Sequence, residues 1–260
     1  MTEYRRHATQ AAWQRELRGV YVIAKKDAMI YYLKPPVLIY GVLFPIFFFS
    51  AFAIGRGREV APERIVPGML AMALFFTASA VGPLVTPWER RHKTYERLIS
   101  SPVSSLAIIL GDVLAGACFG TLLSVVPLAL GTGLTDAALA KPALLLPGIV
   151  LSALCFAALG ELLAAPPTNN PSQVMMLSSL VRLPLIFISG VFVPLASMPV
   201  WSRWLVPLSP LSYSSDIVRC AFGSTNYFPL WLDLLMLAGF TAAFVIFALH
   251  FHRRAREKGL

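Results

Sequence analysis

Apolar residues in this chain are gathered into six long blocks, which shorter polar segments separate. Each block holds roughly 19 to 26 residues, enough for a helix to cross a hydrocarbon core of about 30 Å at 1.5 Å per residue. The pattern predicts six transmembrane helices, at about 36–54, 65–87, 106–131, 142–165, 174–194 and 229–251.

The first 34 residues follow a different pattern. Apolar and small residues recur there at spacings of four and three, while basic residues fall on other faces: Trp13, Leu17, Tyr21, Ala24, Ala28 and Tyr31 against Arg15, Arg18, Lys25 and Lys26. This predicts an amphipathic helix that lies along a membrane surface. A helix that packs on its own domain is the alternative. We therefore divide the chain into an interfacial helix, residues 1–34, and one transmembrane domain, residues 35–260.

Composition supports a membrane protein, because 57% of the residues are hydrophobic and only 13% are charged. An average soluble domain has about 45–50% apolar and about 25% charged residues. The net charge is +9, but Lys and Arg occur in short clusters between the apolar blocks, which is typical of topology signals and does not indicate a nucleic-acid partner. If both termini are cytoplasmic, most of the Lys and Arg residues between the spans and at the termini lie on the cytoplasmic side. Because inner segments usually carry the excess of positive charge, we predict a multi-pass protein of the cell membrane with both termini in the cytoplasm.

Sequence motifs for chemistry are missing. The chain contains no G-x-x-x-x-G-K-[ST] phosphate loop, no H-E-x-x-H and no G-x-S-x-G, and its three cysteines lack metal or redox spacing. We therefore expect no catalytic residue, no metal and no cofactor bound by this chain. Within the third span, Gly116 and Gly120 form a G-x-x-x-G pattern, which is typical of close helix packing.

The loop between the second and third spans, residues 89–102, is densely charged but ends in a small hydrophobic cluster. A short helix here would present Tyr95, Leu98 and Ile99 to a partner, which suits docking into a groove on a cytoplasmic subunit. A solvated loop whose charges only fix topology is the alternative.

The segment that joins the fifth and sixth spans is too apolar for a free external loop and too rich in proline for a full span. A re-entrant or interfacial helical hairpin fits this pattern, with Trp201, Trp204 and Tyr213 at headgroup depth.

Three charged residues, Asp112, Glu161 and Arg182, are predicted in or near the inner halves of the third, fourth and fifth spans. Intramembrane charges are costly and are usually paired or face a cavity. Arg182 can extend toward the cytoplasmic surface and meet Glu161 or Asp112. We interpret Arg182 and one of these two carboxylates as a structural ion pair, with a substrate or ion contact as the alternative.

Two of these segments resemble the permeases of type-2 ABC transporters. In that family a serine-glycine-aromatic-proline stretch ends the fifth helix, and a tryptophan-rich segment, a proline-leucine-serine-tyrosine motif and an arginine follow. The residues that match here are Ser189, Gly190, Phe192, Pro194, Pro199, Pro210, Leu211, Tyr213 and Arg219. The cytoplasmic loop is similar to the family's loop at Arg97, Leu98, Ser101 and Pro102. One departure is Gly111-Asp112, where the family often has a lysine beside the glycine.

The resemblance implies an all-α membrane fold of six spans, with the N-terminal interfacial helix as a connecting helix and an extracellular re-entrant hairpin between helices five and six. It also implies a half-permease that pairs with a second permease copy, most simply an identical one, and with two separate ABC ATPase subunits that bind ATP and Mg. The implied ATPase-coupling residues are Glu89, Arg90, Arg91, Tyr95, Glu96, Arg97, Leu98, Ser101 and Pro102. The implied hairpin residues are Ser189, Gly190, Phe192, Pro194, Trp201, Trp204, Pro210, Tyr213 and Arg219.

The function predicted from these features is ATP-driven export of an amphipathic, lipidic, drug-like or glycan substrate by alternating access, in contact with membrane lipids. The alternative is a stand-alone, ion-coupled secondary transporter in which Glu161, Asp112 and Arg182 would couple the ion. An intramembrane enzyme is disfavoured, because no span carries paired catalytic residues.

Overall fold

The structure, a computed structural model, describes residues 2–31, 35, 39–43, 46–47, 50–51, 62–94, 98, 103–134, 137–166, 168, 170–192 and 203–257. The long elements among these residues are helices, and no strand occurs among them. Helix α1 spans Thr2–Tyr31, α2 Pro62–Arg91, α3 Ser105–Leu123, α4 Val125–Leu134, α5 Pro142–Ala164, α6 Pro171–Ile188, α7 Pro210–Ala221 and α8 Leu230–Glu257. A π-helical turn lies at Ile39–Leu43 and a 3-10 turn at Val206–Leu208.

Among the described residues, the helical stretches that are long and apolar enough to cross a membrane are five, namely Ile65–Arg91, Ser105–Gly133, Pro142–Ala164, Pro171–Ile188 and Leu230–Arg254. They coincide with the second to sixth spans that the sequence predicts. The first predicted span, 36–54, lies mostly outside the described residues, so the count of six stays a prediction.

Two boundaries differ from the apolar blocks. Helix α2 continues past Pro87 to Arg91, because its charged end is stabilised by contacts with α1 and with the end of α5. The third span consists of two pieces, α3 and α4, which meet at Ser124. The Ser124 hydroxyl donates to the carbonyl of Thr121 at 2.7 Å, and Pro127 has no N–H for the first turn of α4.

Helix α2 is the centre of the bundle, and 89% of its most apolar 18-residue stretch is buried. Small residues allow this close packing. A Cβ atom on Gly160 of α5 would lie 2.6 Å from the carbonyl oxygen of Ser79, and one on Gly116 of α3 would lie 2.9 Å from that of Ala78. A Cβ on Gly120 would lie 2.7 Å from the Ala78 Cβ. The close packing predicted from the G-x-x-x-G pattern is confirmed.

Helix α1 packs along α3 through a narrow stripe. Gly19, Ile23 and Asp27 are buried, whereas Trp13, Leu17 and Tyr21 are exposed. A Cβ on Gly111 of α3 would lie 2.6 Å from Ile23 Cγ2, so the two helices touch there. Of the apolar stripe predicted from the sequence, Trp13, Leu17 and Tyr21 are therefore not packed on the protein, whereas Ala24 and Ala28 are half-buried and Ala28 packs against the core. The exposed part remains available for a membrane surface, and that placement stays a prediction.

Candidate functional site

The C-terminal end of α2 is joined to α1 by a partly buried ion pair. Lys26 of α1 donates to the carboxylate of Glu89, and its Nζ also lies 3.0 Å from Asp27 Oδ1. Burial lowers the pKa of Lys26, but the Asp27 and Glu89 carboxylates raise it by more, so the net pKa lies above its usual value. Glu89, which the sequence assigns to an ATPase-coupling loop, is buried and faces α1.

The next residues form an exposed aromatic and basic surface. Arg91 and Trp88 are exposed, and the Arg91 guanidinium lies 5.8 Å from the centre of the Trp88 ring. The Trp88 ring also stacks on His92 at 5.6 Å between centroids. Trp88 and His92 were not among the residues predicted for coupling, although the Trp88-Glu89-Arg90-Arg91-His92 run was visible in the sequence.

The chain leaves α2 by a tight turn. Lys93 has a φ of 57°, and its N–H donates to the carbonyl of Arg90 at 3.1 Å. Arg90 itself donates from Nη1 to the carbonyl of Pro166, 2.7 Å away, just after α5. Leu98 is half-buried. The other predicted coupling residues, Tyr95, Glu96, Arg97, Ser101 and Pro102, lie outside the described residues.

The far end of this loop also contacts α1. The Ser104 hydroxyl donates to Glu16 Oε2 at 2.5 Å and accepts the N–H of Ala107 as the cap of α3. Val103 packs on Gly19, where a Cβ would lie 2.9 Å from Val103 Cγ1. Glu16 and Lys26 are ten residues apart, roughly 15 Å along a helix. Both ends of the loop therefore contact α1, about three turns apart.

At the opposite end of the bundle, α6 ends at the serine-glycine pair of the hairpin motif. The Ser189 hydroxyl donates to the carbonyl of Ile186 at 2.6 Å and accepts the N–H of Val191 at 3.3 Å. Gly190 has a φ of 78°, in the left-handed region that glycine occupies without strain. The pair therefore ends the helix and turns the chain.

Side chains from α7 and the residue before it donate to carbonyls in the last turn of α6 and in the turn that follows it. Arg219 donates from Nη2 to the carbonyls of Gly190, at 2.6 Å, and Val191, at 3.3 Å. Ser209 donates to the carbonyl of Leu185 at 2.9 Å, and Ser215 to that of Ser189 at 3.4 Å. The two parts of the motif, far apart in sequence, are one hydrogen-bonded unit.

Helix α7 lies inside the protein. Its twelve residues would extend about 18 Å, too short for a core of about 30 Å, and all of them except Arg219 are buried. Its C-terminal end meets the start of α5, where the N–H of Lys141 donates to the carbonyl of Ala221 at 2.9 Å. The carboxylate of Asp216 accepts the N–H groups of Tyr227 and Phe228 and so fixes the turn into α8.

The aromatic residues of the hairpin differ in exposure. Trp204 is 81% exposed, but Tyr213 is only 2% exposed and packs near Phe228 and Phe240. The Tyr213 hydroxyl donates to the carbonyl of Pro207 at 3.1 Å, a brace within the motif. Tyr213 is therefore buried inside the protein, and its placement at headgroup depth stays a prediction. Of the other hairpin residues, Phe192 is at the border of exposure, Pro210 is buried, and Trp201 and Pro194 lie outside the described residues.

The three intramembrane charges are all buried. Arg182 donates from Nη2 to the carbonyl of Ser79. Within the described residues, neither oxygen of Glu161 accepts a hydrogen bond. The pairing of Arg182 with Glu161 or Asp112 stays a prediction. Asp27 of α1 is also buried, and the sequence had not distinguished it from the polar face of α1.

The hairpin contact gives a first test. We expect Arg219→Lys to lower the free energy of unfolding by about 1–2 kcal/mol, because lysine lacks the guanidinium that reaches both carbonyls and the buried acceptors, Gly190 and Val191, lose a donor. Thermal unfolding of the purified protein in detergent measures the change. Arg253→Lys, at an exposed position of α8, is the matched control. Equal midpoints for the two variants would contradict the role of Arg219.

Comparison with known proteins agrees with this geometry. Residues 8–222 match the family model described as "ABC-2 type transporter". The chain is 24% identical over 252 residues to the inner membrane transport permease YadH of Escherichia coli K12, covering 96% of both chains. It is 26% identical over 156 residues to the probable multidrug ABC transporter permease YbhR of the same strain, covering 60% of this chain but only 42% of YbhR. It is 30% identical over 99 residues to the daunorubicin resistance ABC transporter permease protein DrrB1 of Streptomyces coeruleorubidus, covering 38% of this chain and 33% of DrrB1.

Proposed function

This chain belongs to the ABC-2 type transporter family, and we propose that it is the membrane permease subunit of an ATP-driven exporter. It is a multi-pass membrane protein, and its relatives are named as transport permeases. In this proposal both termini are cytoplasmic, residues 1–34 form the connecting helix, and 35–260 form one transmembrane domain. The chain has no phosphate loop, so the proposal assigns ATP, Mg and hydrolysis to two separate ATPase subunits.

One observation carries the coupling part of the proposal. The loop after α2 is bounded by two contacts with α1, the Lys26–Glu89 ion pair and the Val103–Gly19 packing contact. An ATPase that pushes on this loop would therefore move α1, α2 and α3 together. Closure of the ATPase pair would in this way bias the bundle between inward-facing and outward-facing states, which is alternating access.

The transport pathway in this proposal lies between two permease copies. Helix α2 is enclosed by other helices of the same chain, whereas only 22% of the 18-residue stretch that forms α6 is buried. Met176, Leu180 and Phe187 are strongly exposed on α6. We infer that, of the helices of one permease copy, α6 contributes most of the residues that line the transport pathway. We also infer that these residues are largely uncharged. Such a surface favours an amphipathic, drug-like or lipidic cargo over a hydrophilic one.

The rival function is an ion-coupled secondary transporter that needs no ATPase. The observation in its favour is that Asp112 and Glu161 are buried and that Glu161 accepts no hydrogen bond within the described residues. An unpaired intramembrane carboxyl is a common feature of ion pathways. The two functions differ in whether a second protein is required.

Co-purification separates them. We expect the tagged chain, solubilised from its native membrane, to bring down an ATPase that carries a phosphate loop. Arg97→Glu should reduce the recovered ATPase at least about tenfold, because a reversed charge at a docking surface costs more than 1.4 kcal/mol. Arg254→Glu, at an exposed site near the end of α8, is the control and should leave recovery unchanged. Proton- or sodium-driven flux by the reconstituted chain alone, with no ATPase recovered, would establish the rival function.

A further inference from the structure

Helix α1 has three different sides, which lie about 120° apart around its axis at 3.6 residues per turn. One side is buried against the protein and consists of Gly19, Ile23 and Asp27. The second side is apolar and exposed and consists of Trp13, Leu17 and Tyr21. The third side is exposed and positively charged, and we call it the basic strip: Arg15, Arg18 and Lys25.

The exposed charges of α1 all have the same sign. Among residues 13–30, whose side chains the structure describes, every exposed charged group is basic. The two acidic residues are turned toward the protein instead: Glu16 accepts the hydroxyl of Ser104 at 2.5 Å, and Asp27 is buried. The free surface of α1 is therefore positive, and the partner that complements it is anionic.

The contacts of α1 with α3 indicate the depth at which this surface lies. Gly19 packs on Val103, two residues before the membrane-crossing stretch Ser105–Gly133. Farther along, a Cβ on Gly111 would lie 2.6 Å from Ile23 Cγ2, and Gly111 is about 9 Å into that stretch at 1.5 Å per residue. Helix α1 therefore runs beside the end of a membrane span, and its exposed sides lie at the depth of lipid headgroups.

The residues next to the basic strip also favour lipid over a soluble protein. Val22 and Met29 lie on the same side of the helix and are 61% and 76% exposed. A side that mixes aliphatic and basic residues suits the headgroup layer, where the charged ends reach phosphates and the apolar parts contact acyl chains. Trp13 and Tyr21, on the adjacent apolar side, are of the residue types that are enriched at this depth.

We propose that the basic strip binds the phosphate groups of anionic phospholipids, so that α1 is bordered by lipid of that class. A Lys or Arg close to an anionic membrane surface raises the affinity roughly fivefold. Helix α1 contacts both ends of the loop after α2, so this lipid adjoins the helix that supports the loop. The proposal concerns the chain in its membrane and requires neither an ATPase partner nor a particular cargo.

Fluorescence quenching by brominated lipid measures which lipid lies next to α1. The reporter is Tyr21→Trp in a chain whose five native tryptophans are replaced by phenylalanine. Tyr21 is exposed, one turn from Lys25 and three residues from Arg18. The full chain is reconstituted in vesicles of phosphatidylcholine and phosphatidylglycerol in a fixed ratio, with bromine on one lipid or on the other. Because the surface charge is then the same in both samples, the ratio of the two quenching values gives the local enrichment of the anionic lipid.

We expect phosphatidylglycerol to be enriched near the reporter at least about threefold over its share of the bilayer. Arg18→Gln with Lys25→Gln should bring the local composition close to that of the bilayer. The matched control is Arg253→Gln with Arg254→Gln, which removes the same charge at exposed positions of α8 and should leave the enrichment unchanged. Raising the salt concentration from about 0.1 M to about 1 M should weaken the enrichment, because it shortens the Debye length from about 10 Å to about 3 Å.

Gel filtration identifies any variant that does not fold. If the double variant of α1 fails this check, Lys25→Gln alone serves, and it should lose part of the enrichment while Arg253→Gln alone loses none.

Four results would overturn the proposal. One is equal quenching by the two lipids in the reporter chain. A second is an enrichment that survives the α1 substitutions. A third is equal loss of enrichment in the α1 and α8 variants, which would assign the effect to the overall positive charge. A fourth is equal quenching together with loss of a co-purified ATPase from the Arg18→Gln, Lys25→Gln chain, which would make the strip a docking surface for that subunit. The lipid measurement uses the chain alone, so this inference and the proposed function can fail separately.

Discussion

Replacing Lys26 with alanine is expected to lower the free energy of unfolding by about 3 kcal/mol, one of the two largest effects of a single substitution that we predict. The change leaves the buried carboxylate of Glu89 without its cationic donor and leaves Asp27 beside it uncompensated. Removing one partner of a buried ion pair costs about 3–5 kcal/mol, and the partial exposure of Lys26 puts this site at the lower end. The loss should be smaller at acid pH, where Glu89 can take up a proton.

Thermal unfolding in detergent measures this effect, and a shift of roughly 6 to 12 °C corresponds to 3 kcal/mol for a chain of this size. Lys25→Ala, at the exposed neighbouring position, should change stability by less than about 0.5 kcal/mol. The double variant Lys26→Met, Glu89→Gln should recover most of the loss, because it removes both charges. If the double variant is as unstable as Lys26→Ala, an unpaired charge is not the cause.

Gly160→Ala is expected to have a comparable effect by a different mechanism. The new Cβ would lie 2.6 Å from the carbonyl oxygen of Ser79 and 3.0 Å from its carbonyl carbon. These are backbone atoms of α2, so they cannot rotate away, and the two helices must separate. We expect a loss of at least about 2 kcal/mol and a lower amount of folded protein in the membrane.

Gly239→Ala is the matched control, because it makes the same change in α8, where a Cβ would have no atom within 4 Å. Alanine is favoured over glycine inside a helix by about 1 kcal/mol, so this variant should be as stable as the parent or more stable. Both variants can be compared by fluorescence-detected gel filtration after heating. Equal retention of the folded peak would show that the contact of α2 with α5 tolerates a methyl group.

The spans were predictable because lipid imposes one rule along the whole chain. Five of the predicted spans match helices, and the α2 boundary that failed did so for a specific reason. Pro87 suggested an end, but Glu89 and Arg90 extend the helix through contacts with α1 and with Pro166. Those contacts join positions more than sixty residues apart, and no local pattern reports them.

The candidate site was predictable in part. The serine-glycine and arginine positions of the hairpin motif do act together, since Arg219 donates to Gly190. The buried role of Asp27 was not predictable, because a charge on the polar face of an amphipathic helix looks the same in sequence whether water or protein covers it. The burial of Tyr213 was not predictable for a related reason: aromatic residues near a predicted interface resemble belt residues unless their packing partners are known.

The enclosure of α2 also constrains how the chain is made. Helix α2 is complete at Arg91, but α5, which covers its Ser79–Gly82 face, is complete only at Ala164. At about 5–20 residues per second, the intervening 70 or so residues take roughly 4 to 15 seconds to synthesise. During that time α2, which contains three prolines, lies in the bilayer or the insertion machinery without α5 packed against it. The proteases and chaperones that act on newly made membrane proteins therefore encounter α2 before α5 can cover it. We expect substitutions that weaken the α2–α5 contact to reduce the amount of protein in the membrane, through degradation during or soon after synthesis.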